Sequence, residues 1–182
     1  TRAQIEYPNV ESKRYGDVGY IRMAQFNQKA AQDIADEIKK LEKAGATSFV
    51  LDLRDNPGGL LDVAVGVTSL FVEDGVIVRV EQRNQPEVEH RATGGRVTDA
   101  PLVVLVNGNS ASASEITAGA LQDYGRATIV GETTGGGAHP VRGERVNDRF
   151  VVTVPFLRAW NPITRTNWEG TGVEPDVKVP AP

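Results

Sequence analysis

The sequence predicts an α/β domain with a mostly parallel sheet flanked by helices. Short apolar runs of strand length (SFVLDLR, PLVVLVNG and ATIVGE) alternate with segments of helical period. Each run ends in a glycine-bearing turn (NPGG, NGNSASAS or TTGGG), as strands that feed crossover helices do. With 182 residues, 40% of them hydrophobic and 24% charged, the chain can bury one substantial core, so residues 1–182 are read as a single domain.

The elements follow in order. Residues 1–16 are mixed and polar, with TRAQIEY as a candidate edge strand. Val18 to Phe26 alternates as a strand. Asn27 is the expected cap of a helix, QKAAQDIADEIKKLEKAG, that puts Ala31, Ile34, Ile38 and Leu41 on one face and stops at Gly45. After the strand Ser48–Arg54 and the turn Asp55–Gly59, a second helix is expected from Leu61 to about Phe71. VIVRVEQR and PEVEHRAT read as hairpin arms around Asn84-Gln85-Pro86. The strand PLVVLVNG leads through three serines into a helix ending near Gln122, and ATIVGE, RFVVTVPF and VKVP are further strands.

Composition narrows the function classes. A net charge of −4 without any Lys/Arg run argues against nucleic acid, and no apolar stretch reaches the roughly 20 residues of a membrane span. Zero cysteines exclude disulfides, thiol catalysis and cysteine metal sites, and two distant histidines do not make a zinc site. GGGAHP lacks the Lys-Ser/Thr ending of a phosphate loop, and NPGGLLD lacks dinucleotide spacing. Neither metal nor cofactor is expected. Thr1 is not an initiator residue, so an excised or processed piece is expected.

In open α/β sheets ligands bind at the carboxyl ends of the strands, where the three glycine turns would form one ring. The turn before the third helix carries Ser110, Ser112 and Ser114. A serine at such a strand-to-helix junction can sit beside N–H groups that lack intrahelical partners, which builds a nucleophile next to an oxyanion hole. The same serines can equally be a cap and small packing residues. A nucleophile needs a base. Glu115, Asp123 and Glu132 are nearby ionisable groups; His139 lies on the third turn, whereas His90 sits in a polar hairpin arm and is read as facing solvent. Glu169, in NWEGTG, can orient a base or bind a substrate terminus, or be an exposed loop charge.

The blocks GYIRMAQFN, VLDLRDNPGGLLDVAV, VLVNGNSASASEITAGALQDYGRATIVGETT and GTGVEPDV together resemble the catalytic domain of the C-terminal processing (tail-specific) serine peptidases, from about Val18 to Val179. The resemblance implies a crotonase-like (ClpP/crotonase) β-β-α core, usually accompanied by a PDZ domain and helical segments that this sequence does not hold. It implies a periplasmic or extracellular address and polypeptide substrates cut near their C-termini. It makes Ser112 the nucleophile, with the N–H groups of Ala113 and Gly58 as oxyanion donors. The family's lysine base lies 25 residues after the serine, and here that position is Gly137, while its supporting glutamine position is Val141; no lysine occurs between Lys43 and Lys178.

From Gly135 onward the wording GGGAHP and NPITRTNWEGTGVEPDV resembles a sister branch, the tricorn-like peptidases and the modules of interphotoreceptor retinoid-binding protein. In that branch a histidine from an upstream segment serves as base and a C-terminal glutamate assists, which makes Glu169 a match for the glutamate. Within this sequence His139 is the available base. Two readings follow. One is a serine peptidase core with an acyl-enzyme on Ser112, weak or inactive in isolation. The other is a non-catalytic module that holds a retinoid, a fatty acid or a peptide tail on the same fold.

Overall fold

The computed structural model describes residues 8–180, so the candidate strand TRAQIEY lies outside the described residues. A tight turn joins β1 (Val10–Tyr15) antiparallel to β2 (Val18–Met23). The helix α1 (Ala30–Lys43) leads to β3 (Ser48–Asp52), and α2 (Leu61–Ser69) leads to the hairpin β4 (Val76–Glu81) and β5 (Val88–Arg91). Then follow β6 (Leu102–Val106), α3 (Ala113–Asp123) and β7 (Thr128–Gly131). The chain ends with the hairpin β8 (Val141–Arg145) and β9 (Val151–Pro155), then β10 (Arg158–Trp160) and β11 (Val177–Lys178).

The main sheet has the order β1-β2-β3-β6-β7-β11, parallel from β2 onward with β1 as its one antiparallel strand. It is therefore a mixed α/β sheet. A three-stranded antiparallel sheet, β10-β4-β5, lies beside it, with α3 touching both β7 and β4. In β6, Leu102, Val104 and Val106 are buried, as the continuous apolar run requires of a central parallel strand.

One local expectation needs revision, and two strands carry no pattern in the sequence. Asn27 does not cap α1. Its Oδ1 accepts the Lys29 N–H and its carbonyl accepts the Ala30 N–H, so it closes a turn and Lys29 takes the cap position. Strand β1 falls in the polar stretch because its residues face water at the sheet edge, which leaves no apolar alternation to read. The hairpin β8–β9 likewise stands exposed along its whole length, so β8 carries no burial signal. The predicted apolar face of α1 is present in Ile34, Ile38 and Leu41, each worth about 1.5–3 kcal/mol of burial, with Ala30 and Ala35 beside them.

Helix α3 is buried from Ala113 through Leu121. That explains its small residues: a helix enclosed on every side has no polar face to show and must admit close neighbours. Thr68 of α2 meets Thr117 of α3 across this contact. Arg126, just past α3, donates to the carbonyls of Phe71, Thr98 and Ala100, satisfying three loop acceptors with one guanidinium.

Asp52 at the end of β3 is fully buried. Burial opposes its charged form, but the forked guanidinium of Arg54 (2.6–3.1 Å) and the Tyr20 hydroxyl (2.6 Å) outweigh that and hold the carboxyl below its ordinary range. A lowered folded value means the stabilisation is present above about pH 4 and is lost as pH falls through the folded value. Removing one partner of a buried pair costs about 3–5 kcal/mol. Urea denaturation of Asp52→Asn is expected to show a loss of that order at pH 7 and a flatter decline below pH 4. An unchanged acid profile would contradict the pair's role.

Candidate active site

The three glycine turns meet at the carboxyl edge of the main sheet. Asn56 joins the first two. Its fully buried amide donates to Met23 O at the end of β2, and its carbonyl accepts both the Ala111 N–H (3.1 Å) and the Ser114 hydroxyl (2.8 Å). Asp55 N donates to Asn107 Oδ1, and Gly135 N donates to Ser110 O, which brings in the third turn.

The serines divide by this packing. Ser110 Oγ donates to Leu53 O and accepts from Asn107 N, and both Ser110 and Ser114 are fully buried. Their hydroxyls are spent on structure. Ser112 stays partly exposed. It stands immediately before α3 with φ +55° and ψ −114°, a conformation L residues avoid at a cost of roughly 1–3 kcal/mol. The Ala113 N–H that follows has no acceptor among the described residues and is an orphan donor of the first helical turn.

Glu115 holds this strained turn. Its side chain is completely buried and receives four donors: Ser112 N (2.8 Å), Gly136 N (2.7 Å), Gly137 N (2.9 Å) and the Thr134 hydroxyl (2.5 Å). A carboxylate is acceptor-only, and every partner here donates. Thr134 Oγ1 in turn accepts from Val173 N, which extends the chain of bonds to the C-terminal loop. The Ser-x-x-Glu spacing of Ser112 and Glu115 is a capping-box signature, the signal that could have picked Glu115 from the sequence.

Gly58 lies against Ser112, and Gly59 against Phe26. A Cβ at Gly58 (φ +100°) would come within 2.7 Å of Ala111 O and 2.8 Å of Ala113 N, and one at Gly59 within 2.4 Å of Phe26 O. Gly58 N donates to Asn56 Oδ1 at 2.9 Å, so its N–H is already engaged, whereas Gly59 N has no acceptor among the described residues.

His139 and Glu169 are brought together. Glu169 Oε2 accepts the N–H groups of Ala138 (2.7 Å) and His139 (2.9 Å) and lies 3.7 Å from His139 Nδ1, while His139 Nε2 is buried without a partner. No hydrogen bond joins His139 to Ser112. His90 lies elsewhere: on β5, partly buried rather than facing solvent, its Nδ1 is 4.0 Å from Asp62. Among the described residues no cluster of His, Asp and Glu could hold a metal ion.

Two clefts flank the turns. One of about 450 Å³ is walled by Arg22, Arg54, Asp55, Asn107, Asn109 and Glu132. The other, about 610 Å³, runs along Gln25–Lys29 to Gly59 and Leu60. No described helix is long and apolar enough to cross a membrane.

A family model for peptidase family S41 matches residues 17–179. The chain belongs to that family. It is 48% identical over 130 residues to a carboxyl-terminal-processing protease of Picosynechococcus, covering 71% of this chain and 31% of that protein. A carboxy-terminal-processing protease of Bartonella bacilliformis is 39% identical over 184 residues, covering 98% of this chain and 42% of that protein. Among solved structures, the photosystem II D1 C-terminal processing protease superposes with a TM-score of 0.84 at 31% identity, covering 99% of this chain and 50% of that one. The tricorn protease shares the fold, with a TM-score of 0.63 at 21% identity over 91% of this chain and 15% of that one. The chain spans less than half the length of these curated relatives.

Because Glu115 ties Ser112 to the third turn, Glu115→Gln replaces an acceptor with an NH₂ group facing donors. It is expected to destabilise the fold by about 1–3 kcal/mol. Gly58→Ala, which drives a methyl into the Ala113 N–H, is expected to cost at least as much in stability. Thermal unfolding of the two variants checks both; wild-type melting would contradict the described packing.

Proposed function

We propose that this chain is a serine peptidase core that cleaves polypeptides by way of an acyl-enzyme on Ser112. The observation that carries this reading is the fate of the three serines. Two are buried and bonded into the scaffold, and the third is partly exposed on a strained turn beside an unspent helix N–H. Family membership and the names of the relatives support it.

In this reading Ser112 Oγ attacks the scissile carbonyl and its proton passes to a base. The oxyanion that forms is held by the Ala113 N–H, beside the Gly58 backbone that packs against Ser112. The amine departs with a proton, and water then hydrolyses the ester. His139 is the base within this sequence and Glu169 its orienting carboxylate, since Glu169 Oε2 stands 3.7 Å from His139 Nδ1, just beyond hydrogen-bond reach, and Nε2 is unspent. His139 must approach Ser112 for the transfer, so the isolated core is a slow enzyme. We assign residues 1–182 to one crotonase-like core.

The position of the family lysine offers a direct test. Gly137 has no left-handed backbone, and a Cβ there would sit 3.9 Å from both Ala111 Cβ and Glu115 Oε2, ordinary contact distances. General-base assistance contributes about 10²–10⁴-fold. Gly137→Lys is therefore expected to raise the rate of cleavage of an unfolded polypeptide by 10²-fold or more, as a rough bound from that range. In the wild-type background, Ser112→Ala is expected to abolish cleavage and His139→Gln to reduce it by about the same factor. Persistent cleavage by Ser112→Ala would overturn the assignment.

A further inference from the structure

The hairpin β8–β9 is left uncovered by its own chain. Every residue from Val141 to Pro155 is exposed, and among the described residues no third strand joins this sheet. Phe150 and Val151 stand 64% and 66% exposed, with Val152 and Val154 beside them. A two-stranded hairpin is marginally stable in water by itself. Its two edges differ in character. Strand β8 carries Arg142, Glu144 and Arg145, charges of the kind that keep an edge from pairing. Strand β9 carries no charge, no bulge and no proline before its last residue.

The sequence along this open edge reads almost the same in both directions. In FVVTVPF, Phe150 mirrors Phe156, Val152 mirrors Val154, and Thr153 is the centre; only Val151 and Pro155 break the mirror. The backbone matches it. Val146 N donates to Phe150 O and Phe156 N to Pro140 O, so by the antiparallel alternation the even-numbered residues of β9 bond to β8. The N–H groups of Val151 and Thr153, and the carbonyls of Val151, Thr153 and Pro155, point the other way.

We propose that β9 is a self-association edge, where a second copy of this chain adds antiparallel about a twofold axis at Thr153. Each Thr153 N–H then meets the Thr153 carbonyl of the other copy, and each Val151 N–H meets a Pro155 carbonyl. Phe150 stands opposite Phe156 and Val152 opposite Val154 on one face, aromatic and β-branched pairs that stabilise sheets. The assembly closes at two copies, because the outer edges of the joined sheet are the charged β8 strands. At about 3.4 Å per residue the pairing is about 24 Å long. One such strand pair falls below the roughly 1,200 Å² at which stable interfaces begin, so the dimer is reversible and depends on concentration. Pro140, which closes the base of the hairpin, directly follows His139, so pairing also steadies the third turn.

The chain has no cysteine, so Thr153→Cys places a single thiol on the proposed axis. Opposed residues of a hydrogen-bonded pair lie about 5.5 Å apart at Cα, within disulfide reach. Under mild oxidation Thr153→Cys is expected to cross-link into a covalent dimer, and Val151→Cys, which faces Pro155, is not. Analytical ultracentrifugation is expected to show the wild-type chain passing from monomer to dimer as its concentration rises. Thr153→Lys sets like charges opposite each other and is expected to weaken association roughly tenfold or more. Thr153→Glu is expected to do the same, and mixing the two variants to restore a dimer. Thr153 is exposed in the monomer, so unchanged melting of both variants at low concentration checks that the fold is intact. A wild-type chain that stays monomeric, a dimer that Thr153→Lys leaves intact, or equal cross-linking from both cysteines overturns the proposal. So does binding of the hairpin to anionic lipid vesicles in place of self-association. None of these outcomes depends on reaction at Ser112.

Discussion

One buried carboxyl group organises the site. Glu115 takes the Ser112 N–H at the start of α3 and the N–H groups of Gly136 and Gly137 on the third turn, with the Thr134 hydroxyl completing the set. A strained φ of +55° at Ser112 persists only if its surroundings over-determine it, and this carboxyl supplies much of that determination. The same group fixes how far the third turn stands from the serine. An N-cap contact within one helix is in this way converted into a tertiary bond between the ends of two parallel strands.

The second constraint is steric. Close approach of the first turn to the serine turn leaves no room for a side chain at Gly58, as Phe26 leaves none at Gly59, and Asn56 locks that approach with bonds to β2 and to the serine turn. At this junction Ser112 stands partly exposed beside the unpaired Ala113 N–H, with a cleft on either side of the turns. Two positions separate this chain from the pattern its sequence resembles, Gly137 at the lysine's place and Val141 at the glutamine's. At Gly137 the frame keeps the N–H that bonds Glu115 and has no side chain to act as base. Glu169 and His139 are held together nearby, by contacts that involve backbone as much as side chain.

Much of this was legible beforehand for a physical reason. Parallel strands buried on both faces leave continuous apolar runs, so β3, β6 and β7 and their glycine turns stand out in the sequence. The convergence of the three turns follows from parallel topology alone. What escaped lies where burial is absent: β1 and β8 face water and carry no pattern. The engagement of Gly58 N with Asn56 depends on the path of one turn, and spacing cannot reveal it. Glu115 escaped as the hub because three of its four donors lie on the distant third turn, although its Ser-x-x-Glu spacing was in plain view.

The central claim is that this scaffold displays Ser112 as a nucleophile. Mass-spectrometric mapping of the adduct formed with a fluorophosphonate probe tests it most directly, because the reagent needs an activated hydroxyl and an oxyanion site but no particular substrate. The account predicts a single adduct, on Ser112, forming slowly in the wild-type chain and lost on unfolding in urea. No adduct, or labelling spread over exposed serines and indifferent to unfolding, would contradict it.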